Sequence, residues 1–413
     1  LKDKSNDTNQ LSAHFFRHNY AKMVAVLIRH FGLENVETAE DIVQDTLLDA
    51  LEQWSIRSIP SNPEAWLMDV AKKKTINYLK RNGLLKNKVL PALQKEYNSF
   101  VLADEQNQKD NTLRLIFTCC HPALPKSAQI AMALKSLCGL SIPEIANALL
   151  TNDATINKRL YRAKQKFREG RVAYEIPDQH ELPKRIDNVY AVLYLLFNEG
   201  YHSKNHKEII RMDLCFEAIR LLKQLLTSFP NQQKGIALLS LMLLSVARFR
   251  SRLDDKGALV ILSKQDRKRW DKELIAEGIH YLHLSAKGKE VNTYQLQAGI
   301  AAEHCIAESF ASTNWGSIYR QYSILEKLDN NSLIKFNRCI AQFYKGEKNT
   351  AMDNLLQLRN EKALKNNVHF HATVGVFYQA LNFNEEAMPF FKKSLALSKS
   401  EKEKSLIRQR MED

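Results

Sequence analysis

Apolar residues recur along this chain at the three- and four-residue steps of helices, and two early segments show the pattern most clearly. In "TAEDIVQDTLLDALEQW" (38–54), Val43, Leu47, Ala50, Leu51 and Trp54 make the stripe expected to be buried, with Thr38 as the expected N-cap. Asp41, Gln44, Asp45, Leu48 and Glu52 fall on the other side, an acidic face with a leucine set in it. Such a face suits docking onto another protein. A second helix is expected from Pro63, capped by Asn62, in "NPEAWLMDVAKKKTINYLKR". Leu67, Ala71, Thr75 and Tyr78, widened by Trp66 and Val70, point inward. Lys72, Lys73, Ile76 and Lys80 share the outer face, with Asn77 and Arg81 beside it, a surface able to follow a phosphate backbone.

A third pattern spans residues 141–169. Ser141-Ile-Pro-Glu144 has capping-box spacing with Pro143 in the first turn, so a short helix runs to Leu149 or Leu150. Thr151, Asn152 and Asp153 supply turn and cap chemistry, without a glycine in the turn. The next helix places Ile156, Leu160, Ala163 and Phe167 on one inward stripe. Thr155, Arg159, Arg162 and Lys166 form a parallel stripe, with Lys158 alongside. Short helix, tight turn and a helix with one buried and one basic edge make a helix-turn-helix, the form that reads a DNA major groove. A merely solvated basic face is the competing reading.

These patterns divide the 413 residues into helical segments at 11–82 and 111–172, a weakly periodic linker at 83–110, and a long helical array over 185–413. Pro177 and Pro183 in "EIPDQHELPKR" (175–185) interrupt helical continuity and predict a boundary there. Late in the array, "FYKGEKNTAMDNLLQL" (343–358) matches "YQALNFNEEAMPFFKKSL" (378–395), aligning Gly346 with Asn382 and Ala351 with Ala387. That period, about 36 residues, is near that of the tetratricopeptide (TPR) helix pair.

Composition agrees: 13 Gly and 10 Pro leave few turns, so the expected class is all-α. The formal net charge of +14 is compatible with a nucleic-acid partner but does not by itself require one. Six scattered cysteines, with no Cys-x-x-Cys pair, read as reduced core thiols, and Cys119-Cys120-His121 has the wrong spacing for a zinc knuckle. The most apolar run, "IALLSLMLLSVA" (236–247), is too short to span a bilayer, so no membrane association and a cytoplasmic location are expected. No phosphate loop, nucleophile elbow or HExxH occurs, so no enzyme activity, cofactor or metal is expected. An enzymatic reading of residues 185–413 would draw on Glu199, His202, His206, His280 and His283.

Taken in order, "AEDIVQDTLLDALEQW", "NPEAWLMDVAKKKTINYLKR" and "LSIPEIANALLTNDATINKRLYRAKQKFRE" resemble a bacterial RNA polymerase sigma factor of the extracytoplasmic-function (ECF) type. "LYLLFNEGYHSK" (193–204), "DRKRWDKELIAEGIHYL" (266–282) and the late repeat resemble the TPR-like C-terminal extension of one ECF group. The resemblance implies a region 2 at 11–82, a linker at 83–110, a region 4 helix-turn-helix at 111–172, and a helical TPR-like regulatory domain at 185–413. It implies that Asp41, Gln44, Asp45, Leu48 and Glu52 dock on the β′ clamp helices of core polymerase. It gives the loop 58–63, with Asn62, and Lys72, Lys73, Asn77, Lys80 and Arg81 to the −10 promoter element. Thr155, Lys158, Arg159, Arg162 and Lys166 go to the −35 element, near the β flap. The implied partners are core RNA polymerase and promoter DNA, with room for an anti-sigma or other regulatory protein. The alternative is a helix-turn-helix transcription regulator with a helical-repeat interaction domain that does not bind polymerase.

Overall fold

A computed structural model describes residues 15–16, 19–29, 31–56, 59–81, 105–149, 151–170, 172–178, 180–201, 211–254, 259–288, 290–398 and 401–412. Helices dominate, and the described residues contain no β pairing beyond a single bridge between Leu253 and Leu259. The chain forms two compact units, Leu1–Pro230 and Asn231–Asp413.

In the first unit, α1 (Val36–Ile56) packs on α2 (Pro63–Arg81). The helix starts two residues before the expected cap, and the Thr38 hydroxyl instead lies 3.3 Å from the Tyr78 hydroxyl. Val43 and Ala50 are buried as the periodicity requires, whereas Leu51 is 54% exposed. Leu51 sits about 80° round the helix from Val43 at roughly 100° per residue, beyond the edge that α2 covers. Thr46 is buried instead, its hydroxyl donating to the Ile42 carbonyl at 2.7 Å. Trp54 tilts onto Trp66 with ring centroids 5.5 Å apart, which closes the lower end of the pair.

Four helices follow: α3 (Glu105–Cys119), α4 (Lys126–Ser136), α5 (Ile142–Ala148) and α6 (Asp153–Arg168). The first of them begins inside the expected linker; residues 82–104 lie outside the described set. Two more, α7 (Leu182–Tyr201) and α8 (Met212–Ser228), complete this unit. The compact unit therefore ends at Pro230, beyond the break that Pro177 and Pro183 predict at 175–185. The prolines interrupt a helix but not the packing: Arg185, 3% exposed, donates from Nη2 to the Phe117 carbonyl at 2.8 Å. Val189, Tyr190 and Leu193 are buried on the same helix.

The second unit is built around α9 (Gln233–Val246), the apolar run of the sequence, in which every residue from Gly235 to Val246 is buried. Against it pack α10 (Lys272–Ser285) and α11 (Thr293–Ile306). Gly278 lets α10 approach closely, since a Cβ there would meet the Leu244 side chain at 2.7 Å. Helices α12 (Trp315–Leu328), α13 (Ser332–Lys345), α14 (Lys348–Gln357), α15 (Val368–Gln379), α16 (Asn384–Leu397) and α17 (Glu401–Glu412) continue as antiparallel hairpins. The aligned repeat positions behave alike. Gly346 (φ 114) and Asn382 (φ 65) both turn left-handed between helices, and Ala351 and Ala387 are both buried.

Candidate nucleic-acid interface

The helix-turn-helix forms as its local chemistry dictates. The Glu144 backbone N–H donates to Ser141 Oγ at 3.4 Å, and the Ser141 N–H donates to Glu144 Oε2 at 2.7 Å, completing the capping box of α5. Asn152 caps α6 by accepting from the Thr155 N–H at 2.8 Å, with Asp153 in the first turn facing the positive end of the helix. Ile156, Leu160, Ala163 and Phe167 are all buried, so the predicted stripe holds the helix against its own domain.

The free face of α6 is offset from the predicted basic stripe. Lys158 and Arg162 are exposed, while Thr155, Arg159 and Lys166 are half-buried. Lys166 turns its ammonium onto the Ala123 carbonyl. The outward side carries Ala154, Asn157, Lys158, Tyr161, Arg162 and Gln165, and Tyr161 is 62% exposed. Neither Asn157 nor Tyr161 belongs to the predicted set. A polar amide and an amphipathic ring on an outward helical face are the signal that charge counting misses.

On the acidic face of α1, Asp41, Asp45, Leu48 and Glu52 are exposed and Gln44 is half-buried. The apolar part is larger than predicted, since Leu48 (57%), Leu51 and Ile56 (84%) stand open on the last turns, followed by Ile59 (64%). In α2, Asn62 Oδ1 accepts from the Ala65 N–H at 3.0 Å, so its amide oxygen is engaged as a cap. Lys73 pairs with Asp69 at 2.7 Å on the same helix. Lys72 is half-buried, and loss of solvent holds its ammonium below the usual lysine pKa. Asn77 is exposed; the Lys80 and Arg81 side chains lie outside the described set.

One arrangement had no counterpart in the sequence reading. Helices α1 and α6 are latched together. Lys164, on the inner side of α6, donates to Glu40 Oε2 at 3.1 Å and lies 3.5 Å from Glu37. The second Glu40 oxygen accepts from Ser136 Oγ at 2.5 Å. Arg168 reaches Glu37. Tyr174 adds a further tie, its hydroxyl donating to the Ala25 carbonyl at 2.7 Å. Glu40 and Lys164 are buried, so this pair is a packed contact rather than a surface charge. Helix α8 approaches from the other side, where Arg211 Nη1 donates to Glu144 Oε1 at 2.8 Å beneath the helix-turn-helix.

His280 and His283 are exposed on α10, and His202 and His206 lie outside the described residues. Five cysteines are buried and Cys305 half-buried; burial pushes the Cys120 thiol up to about 12. No helix among the described residues is long and apolar enough to cross a membrane.

Comparison with known proteins agrees with this geometry. Residues 15–84 match the model of Sigma-70 region 2, and residues 114–167 match Sigma-70 region 4. Residues 185–286 match a family of unknown function, DUF6596. An uncharacterized protein of Rhizobium meliloti (strain 1021) is 33% identical over 394 residues, covering 94% of this chain and 92% of that protein. With an exposed acidic helix at one end, a capped helix-turn-helix at the other and both matched regions in order, the chain belongs to the sigma-70 family of promoter-recognition factors, carrying regions 2 and 4 and a helical C-terminal extension.

Proposed function

We propose that the chain is an ECF-type sigma factor that acts in the cytoplasm, where it binds core RNA polymerase and directs it to promoters through paired −10 and −35 contacts. The supporting observation is that one body carries both an exposed acidic-and-apolar face, with Asp45, Leu48 and Glu52, and an outward helix-turn-helix face, with Lys158 and Arg162. A duplex-binding regulator would need the second and leave the first without a task. Binding, positioning and capture of unpaired bases are its work, rather than bond chemistry of its own. The C-terminal extension modulates output through protein contacts, for which its stacked helical hairpins offer broad faces.

The latch between α1 and α6 gives this reading a further step. Promoter elements centred near −10 and −35 lie about 25 base pairs apart, on the order of 80 Å at about 3.4 Å per pair. Helices joined by a contact of 3.1 Å between Lys164 and Glu40 do not reach both elements at once. The latched form is therefore the free protein, and polymerase takes the opened one. Reconstitution tests the whole reading: purified chain and core polymerase should co-elute and give run-off transcripts on the promoter of the chain's own gene. Duplex binding with no holoenzyme formed would instead establish the helix-turn-helix regulator.

A further inference from the structure

The second unit contains a cavity of about 610 Å³, walled by α11, α12, α13, α15, α17 and the segment 261–264. That volume falls in the range of small-molecule sites, roughly 300–1,000 Å³. One wall is aromatic. Trp315 stacks on Tyr344 with centroids 4.8 Å apart, and Phe310 stands edge-on to both at 5.0 Å. All three rings line the void.

The cavity wall carries polar groups as well, and its charged side chains are of one sign. No aspartate or glutamate lines it, whereas Arg410 and Lys264 do. Arg410, on the final helix, is half-buried and forms no ion pair among the described residues. Its position is unlike that of Arg267 nearby, whose guanidinium donates to the His304 and Ala307 carbonyls and stacks on Trp270 at 4.7 Å. Arg267 is thus satisfied by the fold, whereas Arg410 has the Tyr344 hydroxyl as a neighbour and no carboxylate partner among the described residues. His304 also lines the cavity, and its Nδ1 is buried without a hydrogen-bond partner. Burial, then the neighbouring Arg248 and Arg267, push the His304 pKa down to about 3, so the ring is neutral at physiological pH. Asn337, on α13, adds an amide with no hydrogen bond among the described residues.

A half-buried guanidinium fork with no carboxylate of its own is matched by a planar oxyanion. An unpartnered ring nitrogen and a free amide beside an aromatic wall are matched by a ligand with a flat apolar body and a polar edge. We propose that this cavity is a binding site for a small aromatic carboxylate, its acid group on Arg410 and its ring against Trp315 and Tyr344. The C-terminal extension is then a small-molecule receptor carried on the same chain as the promoter-reading regions. The site stands independently of how those regions act.

Isothermal titration of the full chain with 2-naphthoate, and with the neutral 2-naphthamide as its match in shape, tests the assignment. One saturable site is expected, with the acid at least tenfold tighter than the amide. Arg410→Met should remove that difference by weakening the acid tenfold or more, leaving the amide unchanged and the circular dichroism spectrum intact. Absence of saturable binding, or equal affinity for acid and amide in the unaltered chain, overturns the proposal whether or not the variant folds. An Arg410→Met protein that folds and keeps the full preference for the acid overturns it too. Tighter binding of a peptide ending in a free aromatic carboxylate than of 2-naphthoate overturns the small-molecule assignment.

Discussion

Lys164→Met separates the latch from the rest of the fold. In the latched form the Lys164 and Glu40 side chains are 10% and 3% exposed with 3.1 Å between their charges. Removing the ammonium leaves the Glu40 carboxylate buried with only Ser136 Oγ as its hydrogen-bond donor. Breaking one side of a buried pair costs about 3–5 kcal/mol, most of it the stranded charge. Methionine keeps the stem packed, so little of that loss comes from a cavity. Once α1 and α6 part, Glu40 regains water, and the cost falls on the latched form alone. At about 3 kcal/mol the opening equilibrium moves by roughly two orders of magnitude, at about 1.4 kcal/mol per tenfold. On the proposal that core polymerase takes the opened form, it should bind more tightly by up to that factor while the latched form dominates. Fluorescence anisotropy of the labelled full chain titrated with core polymerase reads this directly. Arg168→Gln is the internal comparison: its pair with Glu37 is about half exposed on both sides, so the effect should stay within about fivefold. Affinity in Lys164→Met equal to or weaker than that of the parent chain would refute the argument that the latch opposes polymerase binding.

Four further outcomes are expected. A chain ending at Pro230 should remain a folded monomer by size exclusion and circular dichroism, whereas one ending at Lys184 should aggregate, because it loses Val189, Tyr190 and Leu193 from its core at about 1.5–3 kcal/mol each. Arg162→Ala should cost roughly 1–3 kcal/mol of discrimination at one position of the −35 element if Arg162 reads a base, and a uniform loss across promoter sequences would make it a phosphate contact. Tyr161→Ala should weaken promoter binding by the holoenzyme in the same assay, while an unchanged affinity would remove Tyr161 from the interface. The His304 pKa of about 3 lies below the value near 6.5 of an unfolded histidine. Between those values the unfolded state binds more protons, so the stability of the second unit should fall with falling pH, by up to about 1.4 kcal/mol per pH unit. Urea unfolding at pH 7 and pH 5 should show a smaller drop for His304→Gln than for the parent.

Much of this architecture was legible in the chain because helical period and capping are local properties. Ile156, Leu160, Ala163 and Phe167 could be assigned to the core from spacing alone, and Ser141 with Glu144 formed the cap that their spacing describes. The repeat was legible for the same reason, since a left-handed turn at Gly346 and again at Asn382 needs residues that tolerate it. Spacing gives the direction in which a side chain leaves its helix, but not what it meets there. Helical spacing puts Leu51 on the inward stripe although its edge of α1 stays open, and it puts Arg159 and Lys166 outward although their flank is half covered.

The tertiary structure decided the contacts between distant parts of the sequence. Lys164 meets Glu40 across 124 residues and Arg211 meets Glu144 across 67, and in each pair the charge reads from sequence as one more solvated residue of a basic, mostly helical protein. The same holds for the unit boundary at Pro230, where packing through Arg185 and Phe117 overrides two prolines, and for Arg410, set on a cavity wall that no aspartate or glutamate lines. The sequence by itself determined most of the helices, the caps at Asn62, Ser141 and Asn152, and the order of regions 2 and 4. Which charges are buried, paired or left waiting depended on helices brought together from far apart, and burial is what turns a weak surface charge into a strong and specific contact.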